Sequence, residues 1–455
     1  MTTVPQVRPR VPLPRVWPVR PAGLVAIVGA NILLIVAMWV RHGALRDLGS
    51  LSAGLTAAGQ ITALLGTYAA LIQLVLMSRS PWLDQLFGMD RLASWHRWLG
   101  FAVVWLLMGH VVFTTVGWAL GDGSTAFGET WTLVTTYPYI LMAWASALLF
   151  GLVAVTSIRA ARAKLSYETW YFIHLYGYLA VALGFLHQVA VGTDFVSDPV
   201  ATGYWVALYV IAAALVLLFR FGQPVLLSRR HRFRVAAVTP EAPGVVSVYV
   251  TGRGLDRLAV RSGQYFLWRF LAGGGWWRAH PFSISAAPNG QYLRFTVKAV
   301  GDWTDALQRL RPGTRVLAEG PYGAFTGARR TRERVLLIAG GIGIAPLRAM
   351  LEDLPAPAGA LTLVYRAGSW DEVVFRDELD TLMRLRGAAV YYLIGHQAQL
   401  PGDPLGPENL ARLAPDVADS DVFICGAPGM NDHVRRSLLA MGVSRRQIHS
   451  ERFDY

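Results

Sequence analysis

The sequence predicts a multidomain chain: an all-α six-helix transmembrane bundle, an antiparallel β-barrel, and an α/β domain built on a parallel sheet. Three observations predict it. Six long apolar runs occupy the first half, short β-like runs broken by Gly and Pro fill 231–328, and strand, Gly turn and helix alternate from Arg334 onward. Composition agrees, because 54% of the 455 residues are hydrophobic and only 16% charged, whereas soluble chains carry roughly a quarter charged residues. Mean hydropathy is +0.38. A single cysteine, Cys425, excludes an internal disulfide framework, a cysteine-ligated iron–sulfur cluster and a multi-cysteine zinc site. The net charge of +13 comes from 40 Arg and only two Lys, Lys164 and Lys298. That pattern reads as composition bias, and no nucleic-acid partner is expected.

The six apolar runs cover 22–40, 55–77, 98–118, 137–158, 169–191 and 202–219, each close to the roughly 20 residues a bilayer requires. The first follows a Pro/Arg tail and is too long for the core of a cleavable signal peptide. The tail, 1–21, reads as a polybasic strip lying near anionic lipid. Fifteen Lys/Arg flank the spans on one side, from Arg8 to Arg234, against only Arg41 and Arg46 on the other. Positive charge stays inside, so both termini are expected in the cytoplasm of a multi-pass cell-membrane protein.

Ionisable groups at membrane depth are costly and mark function. Span three carries His96 and His110, fourteen residues apart, and span five carries His174 and His187, thirteen apart. These spacings separate each pair by about 20 Å along a helix axis. Spans three and five run parallel, so His96 lies level with His174 and His110 with His187. Two stacked imidazole pairs can axially ligate two haems, one per leaflet, and an iron held by two nitrogens shuttles single electrons. Packed histidines or a proton relay are the plainer alternatives. A fourteen-residue step nearly returns to one helical face, while a thirteen-residue step misses by about 140°. A local distortion of span five is therefore expected, at Gly177 or Gly184.

In the second half, Val245–Val250, Tyr265–Trp268 and Leu293–Val297 read as barrel strands. Val335–Ala339, Leu361–Tyr365, Ala389–Ile394 and Val422–Ile424 read as parallel strands. His280-Pro281-Phe282-Ser283 could set a hydroxyl near a flavin ring and, with Arg278, positive groups near its pyrophosphate; the same string also reads as an ordinary strand. Gly301-Asp302-Trp303-Thr304 opens a helix through Leu310, either as a phosphate-binding N-terminus or as a plain N-cap. Gly340-Gly341-Ile342-Gly343 runs from a strand to Pro346 and lets backbone approach a pyrophosphate, although its spacing departs from the standard fingerprint. Arg366 ends the next strand, where a cation favours a 2′-phosphate and hence NADPH over NADH. Cys425-Gly426 ends a late strand, leaving room for a nicotinamide or marking a buried structural thiol.

In order, these motifs resemble the ferredoxin–NADP reductase superfamily. Joined to the four-histidine membrane half, the chain over 22–455 resembles the bacterial type of the NADPH oxidase and ferric reductase family. Gly320-Pro321-Tyr322-Gly323 and the terminal Glu451-Arg452-Phe453 fall in that family's order as well. The resemblance implies a membrane domain with two b-type haems over 22–219, an FAD-binding barrel over 220–328 and an NAD(P)H-binding domain over 329–455. His280 and Ser283 would contact FAD and Gly301–Thr304 adjoin its phosphates. Gly340, Gly341 and Gly343 would hold the nicotinamide cofactor's pyrophosphate. Cys425, Glu451 and Phe453 would make up the catalytic set, with Phe453 covering the flavin. Family members often end on that aromatic, whereas Asp454 and Tyr455 follow here, so either Phe453 or Tyr455 stacks on the ring.

The expected function is outward electron transfer: NAD(P)H to FAD to the His96/His174 haem, then the His110/His187 haem, then an external acceptor, O2 or a ferric chelate. The chain shows no calcium-binding extension, cysteine-rich carrier domain or long external loops, and is expected to work without them. Two rival classes are a haem-free membrane-anchored flavin reductase passing electrons to quinone or a carrier, and a haem-binding protein without redox turnover.

Overall fold

The computed structural model describes residues 21–46, 48–196, 198–272, 278–395 and 402–452. The basic tail and the expected flavin-stacking residues Phe453 and Tyr455 lie outside the described residues. Two compact units divide the chain, one over 18–221 and one built on 222–455.

The first unit is helical: α1 Pro21–Arg41, α2 Leu51–Leu76, α3 Pro81–Phe87, α4 Met89–Gly121, α5 Ala126–Thr136, α6 Ile140–Ser157, α7 Arg159–Arg162, α8 Tyr167–Val191, α9 Thr193–Val196 and α10 Pro199–Leu215. Among the described residues, six helices are long and apolar enough to cross a membrane: Ala22–Arg41, Leu51–Leu76, Met89–Gly121, Ile140–Ser157, Tyr167–Val191 and Pro199–His231. Polar caps set several starts, as the free N–H groups of a first turn require. Ser50 accepts from Ala53 N at 3.1 Å, Ser166 from Thr169 N at 3.1 Å, and Asp198 from Val200 N at 2.8 Å. Asp198 also meets Arg41 at 3.1 Å and His42 at 3.2 Å, joining one end of α1 to the start of α10.

Small residues let α2 and α4 touch. A Cβ on Gly59 would stand 2.9 Å from Thr114 N, and one on Gly117 would stand 2.7 Å from Thr56 Oγ1. Such small-residue seams are how helices associate where lipid supplies no hydrophobic drive. Ser52 Oγ then donates to Gly117 O at 2.7 Å. Helix α8 is unbroken from Tyr167 to Val191, which corrects the expected distortion of span five. Imidazoles reach well past Cβ and turn about two side-chain torsions, so ring position is not dictated by the azimuth of Cα.

The second unit begins with α11 Gln223–His231 and carries two three-stranded antiparallel sheets. One is ordered β1 (Arg234–Ala242), β2 (Val245–Thr251), β5 (Tyr292–Lys298); the other is β4 (His280–Ser283), β3 (Tyr265–Phe270), β6 (Val316–Tyr322). Single bridges at Arg234–Arg315 and Ile284–Phe295 join them into a barrel. Alternate residues fill its core, among them Val248, Phe266, Trp268 and Phe295, all at 0% exposure. The short helix α12, Asp302–Leu307, follows β5 and stops before the expected Leu310.

A five-stranded parallel sheet follows, ordered β11 (Ile448–Arg452), β10 (Ser420–Gly426), β7 (Arg334–Gly340), β8 (Leu361–Ala367), β9 (Ala389–Ile394). Helices α13 Ile344–Asp353, α14 Arg376–Arg386, α15 Pro407–Leu413 and α16 Pro428–Ala440 accompany it. Val335–Ala339 is no more than 2% exposed at any position, the continuous apolar run expected of a strand covered on both faces. Strand order reverses between β7 and β10, and such a switch point opens a crevice at the carboxyl ends of strands.

Candidate functional site

That crevice is a cleft of about 590 Å³, lined among others by Gly340, Gly341, Arg366, Met430 and His433. Glycine is required at its floor. A Cβ on Gly340 would run into Met430 Sδ, and one on Gly343 into the carbonyl of Cys425. Gly341 sits at φ 53°, where L side chains are strained. Helices α13 and α16 start directly after β7 and β10, so two helix N-termini, with their unpaired N–H groups, lie at the carboxyl edge. Arg366 Nη1 donates to Ala367 O at 2.7 Å and Leu393 O at 2.9 Å, which anchors the guanidinium in the cleft wall. Glu372 and Asp403 also line the cleft, and His433 Nε2 lies 2.7 Å from Asp403 Oδ2. These three carry no local motif, and the sequence reading missed them.

Cys425 does not line this cleft. Its side chain is wholly buried in the sheet core, and burial, then the Glu451 carboxylate, pushes the thiol well above its ordinary pKa. Glu451 is its register partner across β10 and β11, and Asn431 Nδ2 donates to Glu451 O at 2.7 Å, tying α16 to β11.

The expected flavin residues gather on the barrel. Within β4, His280 pairs with Trp268 and Ser283 with Tyr265 of β3. His280 stacks on Trp303 with centroids 3.4 Å apart, and Phe282 lies parallel to Phe295 at 5.2 Å. Arg278 and Pro281 are exposed, whereas Phe282 and Ser283 are buried. Burial, then the nearby Arg278 guanidinium, pushes His280 down to about 4. Burial thus disfavours the charged imidazole, and its Nε2 is buried without a hydrogen-bonding partner. Gly301 and Asp302 are exposed at the start of α12. There Thr304 Oγ1 accepts from Val300 N at 2.9 Å and from Gly301 N at 3.1 Å. Those two N–H groups are thus satisfied within the chain.

In the helical unit the four histidines meet as two pairs. His96 and His174 have ring centroids 5.8 Å apart, His110 and His187 6.4 Å apart. An iron between two imidazoles, bonded at about 2 Å on each side, places ring centroids about 6 Å apart. His110 Nδ1 donates to Gly59 O at 3.0 Å, which leaves Nε2 with its lone pair for a metal. Ser157 Oγ is 3.4 Å from His174 Nδ1, and the Gln73 amide lies against His96 Nδ1. His110 and His187 border a cavity of about 270 Å³ lined mostly by apolar side chains, including Leu107, Phe150, Val181 and Trp118. Among the described residues no three His, Cys, Asp or Glu converge. Two imidazoles per site suit an iron whose other ligands belong to a porphyrin, so the residues fit the group. Gln73, Gly59 and Ser157 were not found from sequence, because a hydroxyl, an amide or a glycine in an apolar run carries no signal by itself.

Comparison with known proteins gives three matches in chain order. Residues 62–185 match the ferric reductase like transmembrane component family, 233–326 an FAD-binding domain family, and 337–436 an oxidoreductase NAD-binding domain family. Over 239 residues the chain is 32% identical to ferredoxin–NADP reductase B of Sorangium cellulosum, covering 49% of this chain and 96% of that one. It is 31% identical over 184 residues to a flavohemoprotein of Vibrio cholerae, covering 38% of this chain and 45% of that protein. Among solved structures, the flavohem-like FAD/NAD binding domain of nitric oxide dioxygenase from Vibrio cholerae aligns with TM-score 0.40 and 25% identity, over 50% of this chain and 99% of that one.

Proposed function

Because the chain belongs to the NADPH oxidase and ferric reductase family, as a membrane NAD(P)H oxidoreductase with ferredoxin–NADP reductase-like FAD and NAD domains, we propose that it moves electrons from cytoplasmic NAD(P)H across the bilayer to an external acceptor. FAD would exchange a two-electron hydride for single electrons, and two b-type haems would carry those one at a time. His96 with His174, and His110 with His187, hold the two irons. Gly59 fixes the tautomer of His110 through its carbonyl. Gly340, Gly341 and Gly343 receive the dinucleotide's pyrophosphate, and Arg366 faces its ribose and favours NADPH. His280, Phe282, Ser283 and Trp303 would hold the flavin, with Glu451 and Phe453 completing the hydride-transfer site and Cys425 contributing to it only through its backbone, beside Gly343. Domain limits fall near 219 and 328, with both termini in the cytoplasm, since basic residues crowd that side. The acceptor is O2 or a ferric chelate.

One observation carries this reading: two imidazole pairs at the separation an iron requires, on residues whose sequence spacing corresponds to about 20 Å of helix. The test is His110→Leu in the full-length protein. Outward transfer is lost while NAD(P)H still reduces FAD, and low-spin haem absorbance falls to half. Unchanged outward transfer, or a wild-type spectrum of flavin alone, overturns the reading, and the second result would favour a haem-free flavin reductase.

A further inference from the structure

A charge network of two buried arginines and two half-buried glutamates joins the barrel to the nucleotide-binding sheet. Arg294 on β5 is 3% exposed, and its guanidinium forks onto Glu378 of α14, with Nη1–Oε1 at 2.7 Å and Nη2–Oε2 at 3.0 Å. Arg348 on α13 meets the same carboxylate, Nε–Oε2 at 2.7 Å. Both arginines also reach one backbone carbonyl: Arg294 Nη2 donates to Ser285 O at 2.7 Å and Arg348 Nη1 at 3.3 Å. Arg294 Nε donates to Ser285 Oγ at 3.1 Å. Glu352, bonded to Arg348, accepts from Ala287 N at 2.8 Å. Two arginines face two glutamates here, and a third carboxyl, Glu241, lies close enough to interact with both arginines.

Taking the two arginines out of water is expensive, and such clusters add little stability over an apolar replacement. A fixed register is the better-attested gain. What is registered here is specific. Ser285 lies two residues beyond Ser283, on the segment leaving β4, while Arg348 lies five residues beyond Gly343, on the helix that starts at the glycine turn. The network therefore fastens the strand that faces the flavin to the helix that begins at the dinucleotide cleft.

We propose that Arg294, Arg348 and Glu378 are positioning residues for hydride transfer, setting the approach of the nicotinamide to the flavin. This rests on the functional reading above. The step itself moves one hydrogen with both electrons of its C–H bond from NAD(P)H to oxidised FAD, leaving NAD(P)+ and two-electron-reduced flavin. None of the three residues supplies a proton or an electron. Misplacement of about 1 Å costs on the order of a hundredfold in rate, so even partial loosening is measurable.

The test uses the full-length protein with FAD bound. Glu378→Gln removes the shared charge, and Glu378→Asp keeps it but is too short to span both arginines. Single-turnover flavin reduction by NADPH and by its deuterated form is measured beside NADP+ affinity, FAD content and unfolding midpoint. The expected result is hydride transfer slower by on the order of tenfold or more in both variants, with a raised isotope effect and NADP+ affinity within about twofold of wild type. A nicotinamide–flavin charge-transfer absorbance seen in the wild type is expected to weaken. Hydride transfer within about twofold of wild type in the Asp variant overturns the proposal, as does a rate loss matched by FAD loss, whether or not the Gln variant folds. A wild-type protein whose flavin NAD(P)H does not reduce at all would instead overturn the functional reading.

Discussion

His110 Nδ1 lies 3.0 Å from the carbonyl oxygen of Gly59, a residue of a different transmembrane helix. The bond exists because Gly59 has no side chain. A Cβ there would collide with Thr114, one turn beyond His110 on α4. Helix contact and imidazole orientation are thus one feature, and Thr114 Oγ1, 3.2 Å from the same nitrogen, completes it.

Gly59→Val is therefore expected to part α2 from α4, at a cost of about 1–3 kcal/mol for overpacking, and to turn His110 away from His187. If each pair holds a haem, as proposed, haem content by pyridine haemochrome should fall from two per chain to about one. Unchanged haem content would show that haem binding at the His110/His187 pair does not depend on this seam.

His280 supplies a pH dependence. Burial and Arg278 hold its pKa near 4, below the ordinary 6.5. Between these values the unfolded chain binds the proton and the folded chain does not, so stability falls as pH drops from about 6.5 toward 4. Unfolding midpoints of flavin-free protein should decline over that window, and His280→Asn should flatten the decline. Parallel profiles for the two proteins would exclude His280 as the source.

Cys425 is the sole cysteine in the sequence, which makes thiol chemistry easy to read. Wholly buried and held protonated at neutral pH, it should resist alkylation in the folded protein and label rapidly once unfolded. Fast labelling of native protein would mean that the sheet around β10 opens far more readily than its packing implies.

Arg366→Gln is expected to raise KM for NADPH by about ten- to a hundredfold, the worth of a charge-assisted bond to phosphate, with NADH kinetics little changed. Equal losses with both nucleotides would instead trace to the carbonyls of Ala367 and Leu393 that Arg366 braces.

Much of this architecture is legible residue by residue. Six apolar runs announce their helices because a bilayer demands long uninterrupted ones. The barrel and sheet strands appear through alternation and through continuous apolar runs such as Val335–Ala339. Strands β6 and β11 escaped, since Val316–Tyr322 contains Gly320 and Pro321 and Ile448–Arg452 is mostly polar. The short, threonine-rich helix α5 escaped too, as did the starts of α2, which the Ser50 side chain caps, and of α4, which follows Gly88 at φ 81°.

By itself the sequence determined which segments form the long apolar helices, which two of them carry the four imidazoles, and where glycines end the first strand of the parallel sheet. These are local properties, written in runs and spacings. Only the tertiary structure decided that Gly59 would orient His110, that Cys425 would be sealed away from the cleft, and that Glu378 would gather Arg294 and Arg348. Each of those depends on groups brought together from different elements, in the last case 84 residues apart. No periodicity encodes such a meeting, because packing chooses partners by shape and charge after the chain has folded.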